Sequence, residues 1–397
     1  MRIADRIADL GTETAFAVSG EAATFAAQGN RVYPFHLGDI NLPTPSTVVE
    51  WAQKAIADGK TGYCPNAGIP QLREAIASNV AASHNTDYTA ENVVIQPGGK
   101  PTIGKFILTL MNPGDEVLYP NPGYPIYESQ IEFHGGVAVP YGYVEGVKNF
   151  ELDFDSIERG ITEKTRLLIL NDLQNPMGAE CSIEEHERLA EIVRAHDLYV
   201  LADEAYFDMR YSGESTSFVE QPGIAERTVV LYTFSKKFAM TGWRLGASIG
   251  PKEIMEVIAK INVNDESCSN HFVQYGALAG LRGDQSEVQA ILDTLEARRD
   301  ATVDGLNAID GITTFTPDAT FYLFPNVTEL MERKNIESYE VFRRAALHAT
   351  GVSFTSRIHF GRQLDDESNR YIRFAYSGID VADIEEGLGL FKEWAER

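Results

Sequence analysis

The sequence predicts an α/β fold: a mostly parallel sheet with helices on both faces, followed by a smaller α+β lobe. Three near-continuous apolar runs, Arg166–Asn171, Leu198–Ala202 and Val229–Tyr232, are typical of strands that are covered on both faces. Amphipathic stretches alternate with such runs from about residue 90, which is the order of parallel strands joined by helices. The pattern changes after about residue 285, where a long helical stretch begins the second lobe.

The remaining elements follow in chain order. The first 45 residues hold one helical stretch and a proline-rich loop, and we expect them to pack on the C-terminal lobe because they lack a core of their own. The sheet is predicted to include three earlier strands, at Asn92–Gln96, Glu116–Tyr119 and Val137–Tyr141. The intervening helices are predicted at Thr102–Met111, Tyr124–Phe133 and Ile183–Ala195, the last with Ser182 as its N-cap.

The second lobe is predicted to combine helices and short strands. Its elements are a helix over Gln285–Ile309, strands at Thr313–Phe315, Phe321–Phe324 and Tyr371–Tyr376, a helix near Tyr339–Ala346 and a closing helix at Val381–Trp394. We therefore expect a large domain over residues 46–284, and a small domain with an N-terminal arm over residues 1–45 and 285–397.

Composition excludes several classes of protein. The chain has 397 residues with 34 Lys and Arg against 58 Asp and Glu, a formal charge of −24, so we expect no binding to nucleic acid or to an anionic membrane. Three widely spaced cysteines and scattered histidines indicate neither a disulfide framework nor a metal site. The start lacks the apolar stretch of a signal peptide, and no apolar run is long enough to span a bilayer, so a cytoplasmic location is predicted.

Chemically distinctive residues follow several of the predicted strands. Pro97–Lys100 can cradle an anion at a helix N-terminus, and Asn175 and Asp203 lie near or at the ends of two buried strands. Lys236 follows a third buried strand beside hydroxyl side chains, where loss of solvent favours its neutral, nucleophilic form, and Arg244 can reach a phosphate. Together these groups suit an aromatic phosphate cofactor that carries an aldehyde, pyridoxal phosphate.

Three segments carry a family resemblance. They are Gly62-Tyr63 followed by the GIPQLREAIA stretch of residues 68–77, the SKKFAMTGWRLG stretch of residues 235–246, and RFAYS at residues 373–377. In these segments the chain resembles the fold-type I pyridoxal-phosphate enzymes, aminotransferase class I/II, and in particular the aspartate aminotransferase-like members. The resemblance implies a large domain with a mostly parallel seven-stranded sheet, a smaller α+β domain and an aminotransferase activity.

The resemblance also implies which residues hold the cofactor ring. Lys236 is expected to condense with the aldehyde and to move the proton at the substrate Cα. Asp203 is expected to pair with the protonated ring nitrogen, and Asn175 and Tyr206 to bond the ring oxygen. Tyr124 is in the place of the aromatic residue that stacks on the ring.

The resemblance implies a second group of contacts, to the cofactor phosphate. Backbone N–H groups, hydroxyls and a guanidinium are expected from Gly98, Gly99, Lys100, Thr233, Ser235 and Arg244. Tyr63 is expected to reach the phosphate of the neighbouring subunit, which implies a homodimer.

Substrate contacts are implied at four positions. Arg373 is expected to clamp the α-carboxylate, with Gly38 and Asn175 beside it. Lys100 is in the place where several related enzymes carry a lysine that meets a distal carboxylate, and Arg357 is expected to assist it. The sequence therefore predicts an aminotransferase that exchanges an amino group between an L-amino acid, with aspartate as the first candidate, and a 2-oxo acid such as 2-oxoglutarate, in a ping-pong reaction.

Other activities use the same constellation. An aminotransferase for aromatic or alanine-type donors is the nearest alternative. A pyridoxal-phosphate lyase for C–S bonds, or a decarboxylase, would use the same Lys236, Asp203 and Arg373. A regulator with an aminotransferase-like domain is disfavoured, because the sequence shows no DNA-binding module and the charge is strongly negative.

Overall fold

Helices and short strands alternate along the chain in a computed structural model that describes residues 2–11, 13–364 and 367–397. The strands are β1 (Tyr33–Pro34), β2 (Val93–Gln96), β3 (Glu116–Pro120), β4 (Val137–Tyr141), β5 (Tyr143–Glu145), β6 (Phe150–Leu152), β7 (Thr165–Asn171), β8 (Tyr199–Asp203), β9 (Thr228–Thr233), β10 (Gly246–Ile249), β11 (Tyr322–Leu323), β12 (Val352–Ser353), β13 (Thr355–Ser356) and β14 (Ile372–Ala375). The helices are α1 (Ala15–Ala27), α2 (Ser46–Ala57), α3 (Pro70–Ser83), α4 (Lys100–Leu110), α5 (Ile126–Phe133), α6 (Phe154–Gly160), α7 (Ile183–Ala195), α8 (Lys252–Asp265), α9 (His271–Arg282), α10 (Ser286–Asn307), α11 (Thr328–Arg333), α12 (Tyr339–Thr350) and α13 (Val381–Glu396).

A seven-stranded sheet forms the centre of the fold, in the order β2-β10-β9-β8-β7-β3-β4. β10 runs antiparallel to both of its neighbours, and the remaining neighbours pair in parallel. The predicted α/β class and the seven-stranded, mostly parallel sheet are confirmed. The apolar runs of β7, β8 and β9 are buried because helices cover both faces of the sheet.

The strand order places chemistry at one edge of this sheet. β7 ends at Asn171, β8 at Asp203 and β9 at Thr233, and these three strands are parallel neighbours. The carboxyl ends of parallel strands meet at the same edge, where α/β proteins bind their ligands. The loops that follow β7 and β9 carry Asn175 and Lys236.

The first turns of α7 and α4 carry the residues that are expected at helix N-termini. The Ser182 hydroxyl accepts a hydrogen bond from the backbone of Glu185 at 3.1 Å, and the Glu185 side chain accepts one from the backbone of Ser182, so the predicted N-cap of α7 is a full capping box. α4 begins at Lys100, two residues before its predicted start, with Pro101 in its first turn. Within the described residues, none of the helices combines the length and apolar character that a bilayer span needs.

A second, smaller set of strands lies beyond the main sheet. β11, β14 and β13 form an antiparallel sheet, and β1 pairs in parallel with β12. Phe35 packs on Phe374 with ring centroids 4.7 Å apart, so the residues around β1 share a core with the C-terminal lobe. The prediction that the first 45 residues pack on that lobe is wrong for the stretch before α1, where Glu13 bonds Lys100 of α4 and Gly11 bonds Ser129 of α5. The strand predicted at Thr313–Phe315 is wrong: only Thr313 makes an isolated bridge, to Asn326.

Candidate active site

A cavity of about 500 Å³ lies between the carboxyl edge of the main sheet and the smaller sheet. Twelve of the predicted site residues line it, namely Gly38, Gly99, Lys100, Tyr124, Asn175, Asp203, Tyr206, Thr233, Ser235, Lys236, Arg244 and Arg373. Gly98 lies directly behind the Arg244 guanidinium. Tyr63 is 88% exposed and does not line the cavity of its own chain.

Lys236 projects into this cavity from the loop after β9. Its Nζ donates a hydrogen bond to the carbonyl oxygen of Gly38 at 3.1 Å. The ring centroids of Phe321 and Tyr206 are 5.2 and 5.8 Å from the same nitrogen. The amine is therefore held by one weak acceptor between aromatic walls, free of any carboxylate among the described residues that would fix it as a salt bridge.

Asp203 is buried at the end of β8. Its Oδ2 accepts a 2.6 Å hydrogen bond from the Tyr127 hydroxyl, and its Oδ1 accepts one from the backbone of Ala205 at 3.2 Å. Burial raises the pKa of the Asp203 carboxyl to about 6, and both hydrogen bonds partly oppose that rise. A cation such as a protonated ring nitrogen beside this carboxylate would favour its ionised form.

Tyr127 is a site residue that the sequence analysis missed. It is fully buried on α5, three residues after Tyr124, and its hydroxyl faces the end of β8. The available signal was the helix predicted over Tyr124–Phe133, in which residues three apart lie on one face. In the structure α5 begins at Ile126, and the Tyr127 N–H bonds the Tyr124 carbonyl oxygen at 3.1 Å in the turn before it.

The phosphate end of the cavity is built from backbone and hydroxyl groups. Gly98 has a φ of +104°, and a Cβ there would lie 2.2 Å from Nη2 of Arg244. The Thr233 hydroxyl donates to the Ser235 hydroxyl at 2.9 Å, and Arg244 itself has a left-handed backbone with a φ of 54°. Glycine at position 98 therefore lets a guanidinium approach the first turn of α4.

Arg373 is the buried cation of the opposite wall. Its Nη1 donates to Oδ1 of Asn175 at 3.0 Å and its Nη2 to the carbonyl oxygen of His36 at 2.7 Å. The rings of Tyr322 and Phe360 lie 4.7 Å from its guanidinium carbon, and its buried Nε has no hydrogen-bond partner among the described residues. Burial lowers the pKa of Arg373, so an anion bound here would relieve an uncompensated charge.

The cavity mouth carries an acid that the sequence analysis did not single out. Oε1 of Glu13 accepts hydrogen bonds from Nζ of Lys100 at 2.5 Å and from the Tyr124 hydroxyl at 2.6 Å. Tyr206 likewise bonds another phenol that was missed, Tyr322, with 2.9 Å between the oxygens. No sequence motif contains Glu13, which lies in the loop before α1.

Arg357 is not where the sequence analysis expected it. Its Nη2 donates to Oδ1 of Asn121 at 2.9 Å and pairs with Glu367, and it lines a different cavity of about 550 Å³. The expectation that Arg357 assists Lys100 is therefore wrong, because Asn121 after β3 and Glu367 hold the guanidinium away from the site.

The donor set fits pyridoxal phosphate. Hydroxyls, the start of a helix and a guanidinium suit the phosphate, the buried carboxylate of Asp203 suits a ring cation, and the amine of Lys236 suits an aldehyde. An anionic cofactor would complete the cradle at Gly98, and an anionic substrate would complete the contacts of the Arg373 Nε, which no described residue bonds.

Comparisons with known proteins identify the family of this chain. The model of the family described as aminotransferase class I and II matches residues 32–389. A probable aspartate aminotransferase of Methanocaldococcus jannaschii is 33% identical over 363 residues, which cover 90% of this chain and 92% of that protein.

Two solved structures show the same fold. The aspartate aminotransferase from Thermus thermophilus with maleate has a TM-score of 0.89 at 29% identity, covering 99% of this chain and 100% of that chain. An alanine aminotransferase from Pyrococcus furiosus has a TM-score of 0.90 at 27% identity, covering 100% of both chains. With the family match spanning most of its length, the chain belongs to the class I and II aminotransferases and uses pyridoxal 5′-phosphate.

Proposed function

We propose that this aminotransferase takes aspartate as its amino donor and 2-oxoglutarate as its acceptor. The observation that carries the proposal is the pair of cations on the cavity wall: buried Arg373, whose Nε has no partner in the described part of the chain, and Lys100 at the mouth. Two cations suit the two carboxylates of a dicarboxylic amino acid. The Methanocaldococcus jannaschii and Thermus thermophilus relatives, both named for aspartate, support this choice.

The chain's own residues carry the steps of this exchange. When bound, pyridoxal phosphate supplies an aldehyde that takes up the amino group and a ring that delocalises the electron pair left at Cα. Arg373 binds the α-carboxylate of the donor, and later that of the 2-oxo acid, through its guanidinium. The Lys236 amine removes the proton at the donor Cα and returns a proton during the second half of the cycle. Asp203 keeps the ring nitrogen protonated.

The remaining cofactor contacts are part of the same proposal. Asn175 and Tyr206 bond the ring oxygen and Tyr124 contacts the ring face. The phosphate is held by the backbone of Gly98, Gly99 and Lys100 together with the side chains of Thr233, Ser235 and Arg244, all of which line the cavity or lie directly behind it. Gly38 lies beside the substrate α-carboxylate, and its carbonyl contact with Nζ of Lys236 supports that placement.

We also propose a homodimer in which Tyr63 reaches the phosphate of the neighbouring subunit. The support is that Tyr63 is 88% exposed on a loop whose next residue, Cys64, contacts the segment before α9. The test measures the oligomeric state of wild type and Tyr63→Phe by sedimentation, and the affinity of each for the cofactor by titration. A dimeric Tyr63→Phe enzyme with weakened cofactor binding supports the proposal, and a monomeric wild type contradicts it.

A single-turnover titration tests the proposed function. Holoenzyme is mixed with L-amino acids, without a 2-oxo acid, and the visible spectrum of the bound cofactor is followed. We expect aspartate and glutamate to convert the spectrum to that of the aminated cofactor, and Lys236→Ala to abolish the conversion. Conversion only by alanine or aromatic donors would contradict the aspartate assignment, and release of pyruvate or carbon dioxide instead would indicate a lyase or decarboxylase.

A further inference from the structure

Glu13 lies at the cavity mouth with its carboxylate on the cation expected to select the substrate. We propose that Glu13 is a specificity-determining residue: its carboxylate takes the place of a substrate's distal carboxylate on Lys100, and a dicarboxylic substrate must displace it in order to bind. The inference rests on the proposed function, since it concerns how the same site chooses its donor.

The contacts of Glu13 are those that a bound carboxylate would make. One oxygen, Oε1, accepts from both the Lys100 ammonium at 2.5 Å and the Tyr124 hydroxyl at 2.6 Å. The Glu13 side chain is 19% exposed, whereas that of Lys100 is 48% exposed, so the acid is the more enclosed partner of the pair. Because Glu13 and the side chain of aspartate carry the same functional group, they compete for the same two donors.

The charge of Glu13 also acts deeper in the cavity. Burial lowers the pKa of Arg373, and Glu13 is among the groups that oppose this effect, so its carboxylate lies within the electrostatic reach of the guanidinium that should bind the α-carboxylate. A dicarboxylate held between Arg373 and Lys100 would therefore lie beside Glu13. The Glu13 carboxylate and the distal carboxylate of the substrate would then repel each other strongly, because the site is partly desolvated.

Displacement requires little rearrangement of the backbone. Glu13 precedes α1, and its carbonyl oxygen accepts from the backbone of Phe16 at 3.2 Å, while Gly11 accepts from the Ser129 hydroxyl of α5 at 3.3 Å. The side chain can turn toward the solvent at the mouth while these backbone contacts remain. Lys100 then becomes free for the ligand.

Competition between Glu13 and the substrate lowers the affinity for dicarboxylates but not for donors with small neutral side chains. The apparent affinity for a dicarboxylate is reduced by the fraction of molecules in which Lys100 is already paired. Donors with small neutral side chains leave the Glu13 contact undisturbed and do not bear this reduction. Glu13 therefore makes the preference for aspartate over alanine smaller than it would be with Lys100 alone.

The test compares Glu13→Gln with wild-type holoenzyme, using Glu187→Gln as a matched control that neutralises an exposed acid of α7. Binding of maleate, a dicarboxylate without an amino group, is measured by calorimetry, and KM is measured for aspartate and alanine. We expect Glu13→Gln to tighten maleate about ten-fold and to lower KM for aspartate about ten-fold relative to KM for alanine, with no change in the control. Lys100→Gln combined with Glu13→Gln should remove most of this gain, because Lys100 is the charged member of the two contested donors.

Separate outcomes identify which statement fails. Maleate binding that is unchanged or weaker in Glu13→Gln overturns the inference, and so does a gain that persists undiminished without Lys100. If Lys100→Gln lowers the preference for aspartate while Glu13→Gln has no effect, only the inference fails. If wild type does not use aspartate and Lys100→Gln leaves maleate binding unchanged, the proposed function itself fails.

Discussion

At the scale of single residues, Tyr127 offers a direct test of the Asp203 site. The Tyr127 hydroxyl bonds the ionised carboxylate and so lowers its pKa, which burial has raised to about 6. Tyr127→Phe should raise that pKa by about one pH unit, since one hydrogen bond to a charged group is removed. As pH falls, the variant should therefore lose its affinity for pyridoxal phosphate at a higher pH than wild type.

The measurement is the dissociation constant of pyridoxal phosphate for apoenzyme between pH 4.5 and 8. Tyr119→Phe, a change to another buried phenol on β3 of the same sheet, is the control and should follow the wild-type curve. If the dissociation constant rises at the same pH in Tyr127→Phe and in wild type, the Tyr127 hydrogen bond does not set the pKa of Asp203.

Some residues of the site could be predicted from the sequence, and others could not. Lys236, Asp203 and Asn175 were identifiable because each lies at or after a buried strand, and parallel strands end at one edge. Glu13 was not, because its partner Lys100 is 87 positions away and the loop that carries Glu13 has no periodic pattern. Arg357 was misassigned because sequence gives no information about the loop partners Asn121 and Glu367 that hold it elsewhere.

At the scale of elements, the turn into α4 depends on one glycine. Gly98 has a φ of +104°, and a Cβ there would meet Arg244 at 2.2 Å. Gly114 is a matched control, because it has a φ of +90° with open space around it. Both Gly→Ala variants should lose about 1 kcal/mol of folding free energy from backbone strain. Only Gly98→Ala should also weaken the binding of pyridoxal phosphate, by about ten-fold or more, because Arg244 must move.

Urea unfolding and cofactor titration of both variants separate these two effects. Equal cofactor affinity in the two variants would contradict the role of Gly98 as the place where Arg244 approaches the helix start. A large loss of cofactor affinity in both variants would show that backbone strain, and not the contact with Arg244, controls binding.

Elements were predictable where their hydrophobic pattern was long. β7, β8 and β9 are apolar on both faces and were identified within one or two residues of their bounds. β10 was missed, since it has four residues, one of them glycine, and its position between β2 and β9 depends on pairing between distant segments. The division into domains at residues 45/46 and 284/285 stays a prediction, as does the cytoplasmic location.

At the scale of the whole molecule, the charge of −24 should make stability depend on salt. Mutual repulsion among the excess carboxylates disfavours the folded state, and raising the salt from 0.1 to 1 M shortens the screening length from about 10 to about 3 Å. The exposed ion pairs weakened by the same salt contribute little each. We expect the unfolding temperature to rise by several degrees, measured by calorimetry with sorbitol of equal osmolality as the control. If Tm stays constant or falls as the salt is raised, repulsion from the net charge is not the dominant electrostatic effect on stability.

The pairing of β1 with β12 affects how the protein is made. Tyr33 donates its backbone N–H to Gly351 at 2.8 Å, and its ring lies so close to α13 that a Cβ on Gly387 would meet it at 2.7 Å. On a ribosome, β1 has no partner strand until more than 300 further residues have been synthesised. The nascent chain must therefore keep this apolar segment from misassociating until β12 and α13 have been synthesised, and loss of α13 would leave the Tyr33 ring exposed to chaperones and proteases.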